Sequence, residues 1–200
     1  MHLERFLLDL DRQWAPGLPP KLTLYIIGSS ALFLQSDYRR GTKDSDVLKV
    51  DHAAFNDAVC AHLDRLAGLG SALHNKHRLY LDLVGLHLPF LPEDPVWHAH
   101  PIEAQHIALK VLDITDVCVS KLKRWVGSDR QDVSAMIARG HVQHATFIER
   151  VRSVLRERAF DARSEDLFPR IIAAAHEVER DLFALEQVSA FELPGWLRDD

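Results

Sequence analysis

Apolar residues recur along the chain at two spacings, which predict strands in some segments and helices in others. Four short apolar or β-branched runs, each bounded by polar or glycine-containing turns, are typical of strands. These runs lie at residues 22–27, 44–50, 78–84 and 106–112. We interpret them as the strands of one small mixed β-sheet.

Helical spacing, with apolar residues three and four positions apart, fills most of the remaining chain. It predicts helices at residues 3–14, 51–67, 114–125 and 127–139, and further helices between residues 142 and 185. Asp51 is a suitable N-cap for the second of these helices. Residues 75–77 are expected to form an exposed turn, and the proline-rich stretch 86–102 a loop. The pattern predicts an α/β (α+β) fold, with a sheet-containing core at residues 1–112 and a helical region at 113–200.

Composition narrows the class of protein. With 47% apolar and 26% charged residues, the 200-residue chain has the balance of a globular protein. No apolar run reaches the roughly 18 residues that a membrane helix requires, and the N-terminal stretch lacks a signal-peptide cleavage pattern. Cys60 and Cys118 lie in apolar helical contexts and are expected to be reduced, which predicts a cytoplasmic protein with no membrane partner. The net charge of −5 means that RNA binding would require a local basic patch.

The segment around the first two predicted strands carries the candidate chemistry. Asp44 and Asp46 open a strand, and because alternate residues of a strand point the same way, the two carboxylates should share one face. Two carboxylates held so close repel each other unless a cation lies between them, and oxygen ligands of this kind suit Mg²⁺. Gly28 permits close backbone approach, and Ser29 and Ser30 lie where the next helix begins, so N–H groups and hydroxyls could meet a phosphate there.

The residues 28–30 (GSS) and 40–46 (RGTKDSD), joined by one helix length and a basic turn, resemble the core signature of the polymerase-β-like nucleotidyltransferase superfamily. The similarity is strongest to the AbiEii-like branch, which includes toxins of bacterial toxin–antitoxin and phage-defence systems. The residue between the two acids is usually apolar in that family, whereas here it is Ser45, which should point away from the acid face.

Two further parts of the chain extend the resemblance. In the family, a neighbouring strand carries a third metal-binding acid, and Asp82 stands in that place, although an edge-strand aspartate facing solvent is the alternative interpretation. AbiEii-like proteins also have a lysine on a helix, followed by an Asp-x-x-Asp start to the next helix. Lys121, Asp129 and Asp132 occupy those positions, and a surface lysine and a helix N-cap are the alternatives for the first two.

The resemblance implies a nucleotidyltransferase that moves a nucleoside monophosphate from a nucleoside triphosphate to an acceptor, with Mg²⁺ or Mn²⁺ as cofactor. It implies Asp44, Asp46 and Asp82 as metal ligands and, with Lys121, as the catalytic set. The implied nucleotide-binding residues are Gly28, Ser29, Ser30, Arg40, Thr42 and Asp129.

The partners that the resemblance suggests are an RNA acceptor, such as a tRNA 3′ end, and a cognate antitoxin protein. Two alternatives stay open at this point. One is a small-molecule nucleotidyltransferase of the aminoglycoside-modifying kind, which would use the same acids. The other is a scaffold protein that has kept the fold and lost turnover, although the complete acid set argues against it.

Overall fold

A computed structural model describes residues 2–15, 18–19, 21–86, 89–158 and 164–191 of the chain. It divides into two compact units. The first comprises residues 1–89 and 97–112, and the second comprises residues 90–96 and 113–200. The fold is the expected mixed α/β arrangement of a small sheet with flanking helices. Every helix in the described ranges is too short or too polar to cross a membrane.

The first unit contains a five-stranded mixed sheet. Its strands are β1 (Leu22–Ile26), β2 (Asp44–Leu48), β3 (Tyr80–Val84), β4 (Trp97–His100) and β5 (Ile107–Leu112). Their order across the sheet is β3-β2-β1-β5-β4. The pairs β2–β3 and β1–β5 are parallel, whereas β1–β2 and β4–β5 are antiparallel. The acid-bearing strand β2 therefore lies between the central strand β1 and the edge strand β3.

Helices surround the sheet in the first unit and make up most of the second. The first unit has α1 (His2–Arg12), α2 (Gly28–Gln35), α3 (Asp57–Ala67) and α4 (Ala72–His77). The second has α5 (Ile114–Lys121), α6 (Gly127–Ala138), α7 (His144–Glu157) and α8 (Ser164–Glu177), which continues into a π-helical turn (Val178–Leu182). The final residues of the predicted helical region, 192–200, lie outside the described part of the chain.

The core of the first unit forms around β1, where Leu22, Leu24 and Ile26 are fully buried. One buried carboxylate fixes α1 against the sheet. Asp11 accepts hydrogen bonds from the backbone N–H groups of residues 105, 106 and 107, at 2.9, 2.7 and 3.0 Å. Because three donors satisfy this carboxylate, it can lie in the core at the start of β5 without an ion-pair partner.

In the second unit, the short segment 90–96 is held by a charged network. Asp116, 1% exposed, accepts a hydrogen bond from the Val96 N–H at 2.8 Å and two from the Arg150 guanidinium, at 2.6 and 2.8 Å. Arg150 also donates to a side-chain oxygen and to the carbonyl of Asp94. The guanidinium of Arg150, on α7, thus connects segment 90–96 with Asp116 on α5 through hydrogen bonds.

Several sequence predictions about elements were wrong. The helix expected from Asp51 begins at Asp57 and is capped by Asn56, whose side chain accepts from the Val59 N–H. Asp51 instead accepts from the N–H groups of residues 53 and 54 in the preceding turn. The helix expected to reach Trp125 ends at Lys121, and Trp125 has a φ of +48°.

Other differences concern short elements. Residues 75–77, expected to be an exposed turn, belong to α4, which Ser71 caps and whose His77 is buried. Part of the expected proline-rich loop forms β4, which pairs with β5; His87, in the same loop, lies outside the described residues. The strand expected to be buried, β3, lies at the edge of the sheet. Both cysteine thiols are free in the structure, and Cys118 is buried whereas Cys60 is half-buried.

Candidate active site

The three candidate acids lie on one face of two neighbouring strands. Asp44 and Asp46 stand on the same side of β2 because side chains alternate along a strand. In the parallel ladder, Asp46 is paired with Asp82 of β3, and paired residues project to the same face. Asp44 and Asp46 are half-buried, whereas Asp82, on the edge strand, is exposed. The fold therefore brings all three carboxylates to one surface of the sheet.

Gly28 allows the turn before α2 to lie directly against this surface. Its φ is +64°, and an added Cβ would lie only 2.5 Å from Oδ2 of Asp46. The N–H of Ile27 donates to the Asp46 carbonyl at 3.0 Å, which fixes the two backbones side by side. A residue with a side chain at position 28 would occupy the space of the carboxylate, so only glycine leaves the Asp46 carboxylate in its place.

Hydroxyl and guanidinium groups connect the start of α2 with the basic turn. Arg40 Nη2 donates to Ser29 Oγ at 3.0 Å, and Ser30 Oγ donates to the Asp44 carbonyl at 3.2 Å. Thr42 Oγ1 lies 2.9 Å from Asp44 Oδ1. The N-cap residue, Ile27, has no side-chain oxygen to offer the first N–H groups of α2. This end of the helix thus has the donor set of an anion site.

The acid face offers carboxylate oxygens, which are the kind of ligand that Mg²⁺ takes. Within the described residues, no three His, Cys, Asp or Glu side chains gather closely enough to hold a metal ion by themselves. Carboxylates repel one another without a cation between them, and Mg²⁺ typically takes one or two carboxylates together with waters and phosphate oxygens. The half-buried pair Asp44 and Asp46, beside the anion site of α2, fits that requirement.

Sequence reasoning missed Tyr80, which lies on the same face. It is paired with Asp44 in the β2–β3 ladder, and its ring packs edge-to-face on His74, with centroids 5.4 Å apart. Burial raises the pKa of Tyr80, and the nearby charges of Asp44, Asp82 and Asp46 raise it further. The phenol therefore gives up its proton less readily than an exposed tyrosine does. The signal that could have identified it is its spacing, two residues before Asp82 on one strand.

The second block of sequence candidates forms a buried ion cluster within the helical unit. Lys121 is 7% exposed, and its Nζ lies 2.7 Å from Asp132 Oδ2 and 3.3 Å from Asp129 Oδ1. Arg124 donates to both oxygens of Asp129 at 2.8 Å. Although burial acts to raise it, the Arg124 and Lys121 charges hold the pKa of Asp129 below its usual range.

This geometry excludes the interpretation of Lys121 as a surface lysine. Asp129 also accepts from the Val126 N–H at 3.3 Å, so it caps α6 from inside the first turn. The assignments of Lys121 to catalysis and of Asp129 to nucleotide binding stay predictions.

Ser45, between the two acids, points to the opposite side of β2 and is fully buried. Within the described residues, its hydroxyl has no hydrogen-bond partner. A buried hydroxyl without a partner destabilises the fold.

Comparison with known proteins identifies a protein family. A family model described as a nucleotidyltransferase of unknown function (DUF6036) matches residues 7–168. No curated protein and no solved structure matches the chain. The match covers the acid face, the turn before α2 and the buried cluster around Lys121.

Proposed function

The chain belongs to the nucleotidyltransferase family DUF6036, and from that premise we propose that it transfers a nucleoside monophosphate from a nucleoside triphosphate to an acceptor hydroxyl in a Mg²⁺-dependent reaction. The observation that carries the proposal is the acid face, where Asp44, Asp46 and Asp82 lie together beside the start of α2.

In this proposal, Asp44 and Asp46 hold the metal, and Asp82 lies nearest the acceptor. Bound Mg²⁺ would offset the negative charge that develops on the transferring phosphoryl group. The acceptor oxygen forms a bond to the α-phosphorus as the bond from that phosphorus to the bridging β-phosphate oxygen breaks. Asp82 takes the proton of the acceptor hydroxyl, and pyrophosphate leaves. The exposure of Asp82 suits this role, because an acceptor must reach it from solvent.

The start of α2 would hold the phosphates. The Ser29 hydroxyl at this end accepts from the Arg40 guanidinium, and the buried Ser30 hydroxyl donates to the Asp44 carbonyl and so ties the helix start to the acid strand. A helix N-terminus favours anions through its oriented N–H groups and its dipole. Thr42 holds one oxygen of Asp44 and so fixes the orientation of that carboxylate.

The finer part of the proposal concerns the acceptor. The resemblance of residues 28–30 and 40–46 to the AbiEii-like branch supports an RNA acceptor and a toxin controlled by a cognate antitoxin. Single-turnover transfer from α-labelled nucleoside triphosphates separates the possibilities. Label in total cellular RNA supports the RNA acceptor, whereas label in an aminoglycoside and none in RNA would replace it with a small-molecule acceptor.

The core of the proposal is tested by binding and by one variant. Mg²⁺ with a nucleoside triphosphate at about 100 times its dissociation constant should stabilise the protein by roughly 2.7 kcal/mol. Asp46→Asn should remove that stabilisation and the transfer activity while leaving the metal-free protein folded, since it removes a ligand and a repulsion together. Asp57→Asn, in the first turn of α3, is the control. Wild-type activity in folded Asp46→Asn would refute the metal assignment.

A further inference from the structure

A cavity of about 540 Å³ opens beside the basic turn in the first unit. Its lining comes from α1, α2, residues 39–42 and Leu79. This volume lies in the usual range of small-molecule sites, which combine apolar walls with a few placed polar groups. The sequence motifs do not include α1, so they did not predict that α1 lines a cavity.

The cavity borders the candidate active site through residues that they share as neighbours. Ser30, Arg40 and Thr42 line the cavity, and the Ser30 and Thr42 hydroxyls contact Asp44, at its carbonyl and its carboxylate. The cavity wall therefore includes a guanidinium and two residues whose hydroxyls contact a proposed metal ligand.

The cavity also has apolar surface, from Leu3, Phe33 and Leu79, which are themselves almost wholly buried. Glu4, in the first turn of α1, is the one carboxylate among the described residues of the lining, and one of its oxygens lies 3.3 Å from Nε2 of His100. Arg39 lines the cavity as well, and its Nη1 donates to the Phe33 carbonyl at 3.3 Å. A flat apolar group with N–H donors would fit against the apolar side chains and the Glu4 carboxylate.

We propose that this cavity binds the nucleoside part of the nucleotide substrate, with the base against Phe33 and Leu79 and its exocyclic amino group donating to Glu4. The inference rests on the proposed function, because the phosphates would then extend past Arg40 and Thr42 to the acid face. A carboxylate has about four acceptor positions, so Glu4 can accept from a base in addition to His100 and the other group that already donates to it.

This assignment predicts which bases bind. Adenine, guanine and cytosine carry an exocyclic amino group, whereas uracil presents carbonyl oxygens in its place and would oppose the carboxylate. A site whose polar groups are left unpaired by the wrong ligand discriminates against that ligand. Uridine nucleotides should therefore bind most weakly.

The first test measures dissociation constants of the four nucleoside triphosphates, as non-hydrolysable α,β-methylene analogues with Mg²⁺. In the wild-type chain, the uridine analogue should bind about tenfold more weakly than the best of the others. Glu4→Gln should bring that ratio close to one, because the amide can both donate and accept, whereas the control Asp57→Asn should keep it. Equal affinities in the wild type, or an unchanged ratio in Glu4→Gln, would overturn the base assignment.

The second test blocks the cavity without using its charged groups. Gly41 lines the cavity, and a Cβ at this position would meet no heavy atom within 4 Å. Gly41→Phe should therefore fold normally and weaken nucleotide binding by more than tenfold. Gly127→Phe, at another glycine whose Cβ would meet nothing within 4 Å, is the matched control outside the cavity and should bind as the wild type does.

The two tests distinguish this inference from the function on which it rests. If no analogue binds to the wild type with Mg²⁺, the proposed function fails and the cavity assignment fails with it. If the analogues bind but Gly41→Phe binds them as tightly as the wild type, the nucleoside lies elsewhere and only the cavity assignment is overturned.

Discussion

Gly28→Ala offers the sharpest test of the link between backbone and acid site. At a φ of +64°, alanine costs about 1–2 kcal/mol relative to glycine, whatever its surroundings. In addition, the new Cβ would lie 2.5 Å from Asp46 Oδ2, and the oxygen would have to move by about 0.9 Å to reach an ordinary contact of 3.4 Å. The carboxylate is the end of a side chain, so this oxygen rather than the backbone is expected to move.

The expected result is therefore a small loss of stability with a large loss of function. A displacement near 1 Å in an active site can lower the rate by about 10²-fold. Gly70→Ala is the matched control, because Gly70 has a φ of +86° and its Cβ would meet nothing within 4 Å. Both variants should lose a similar 1–2 kcal/mol in urea unfolding.

The comparison is made by transfer rate and by stabilisation with Mg²⁺ and a nucleoside triphosphate. Gly28→Ala should lose both, and Gly70→Ala should keep both. If Gly28→Ala transfers at the rate of Gly70→Ala, then the position of the Asp46 carboxylate does not matter to the reaction, and the reasoning from the acid face is refuted.

Three further predictions concern groups around the site. Lys121→Met should lower the free energy of unfolding by about 3–5 kcal/mol, because it removes an ammonium that lies between the buried carboxylates of Asp129 and Asp132; a loss below about 1 kcal/mol in urea unfolding would contradict this. Ser45→Ala should be stabilising by about 1 kcal/mol, since it removes a buried hydroxyl that has no partner among the described residues, and a clear destabilisation in the same assay would contradict it. Hydrogen bonds from Lys76, the stronger influence, and from His77 hold the pKa of Asp9 at about 2, below its value in the unfolded chain. The stabilisation that these bonds give is therefore complete above about pH 4 and is lost as the pH falls through 2. The melting temperature of Asp9→Asn should accordingly lie below that of the wild type at pH 6 and converge with it near pH 2; a constant difference would refute the ion-pair account.

The parts of the fold that the sequence predicts well are those governed by local signals. The strand–turn–helix at residues 22–35 follows from an apolar run, a glycine and a second apolar run, all within a few residues of one another. The shared face of Asp44 and Asp46 follows from the period of a strand alone. The burial of Lys121, in contrast, could not be predicted from the sequence. It depends on the packing of α5 against α6, which no local sequence pattern indicates.

The predictions that failed depend on partners distant in sequence. The pairing of β4 with β5 overrides the loop character that the surrounding prolines suggest. The apolar content of β3 suggests a buried strand, yet its place at the edge of the sheet is decided by the order of strands and leaves Asp82 exposed. For α4, a cap at Ser71 was present in the sequence, but six residues are too few for a helical period to be recognised.

The membership of segment 90–96 in the helical unit has a consequence for any attempt to divide this protein. A fragment that starts at residue 113 would lack the buried Phe90 and Leu91 and would leave Asp116 without the Val96 N–H. A fragment that stops at residue 112 would carry those apolar side chains away from the unit they help to form. A single break in the chain therefore cannot separate the two units with each one complete. We expect that truncated or recombined chains fold only when they keep both units.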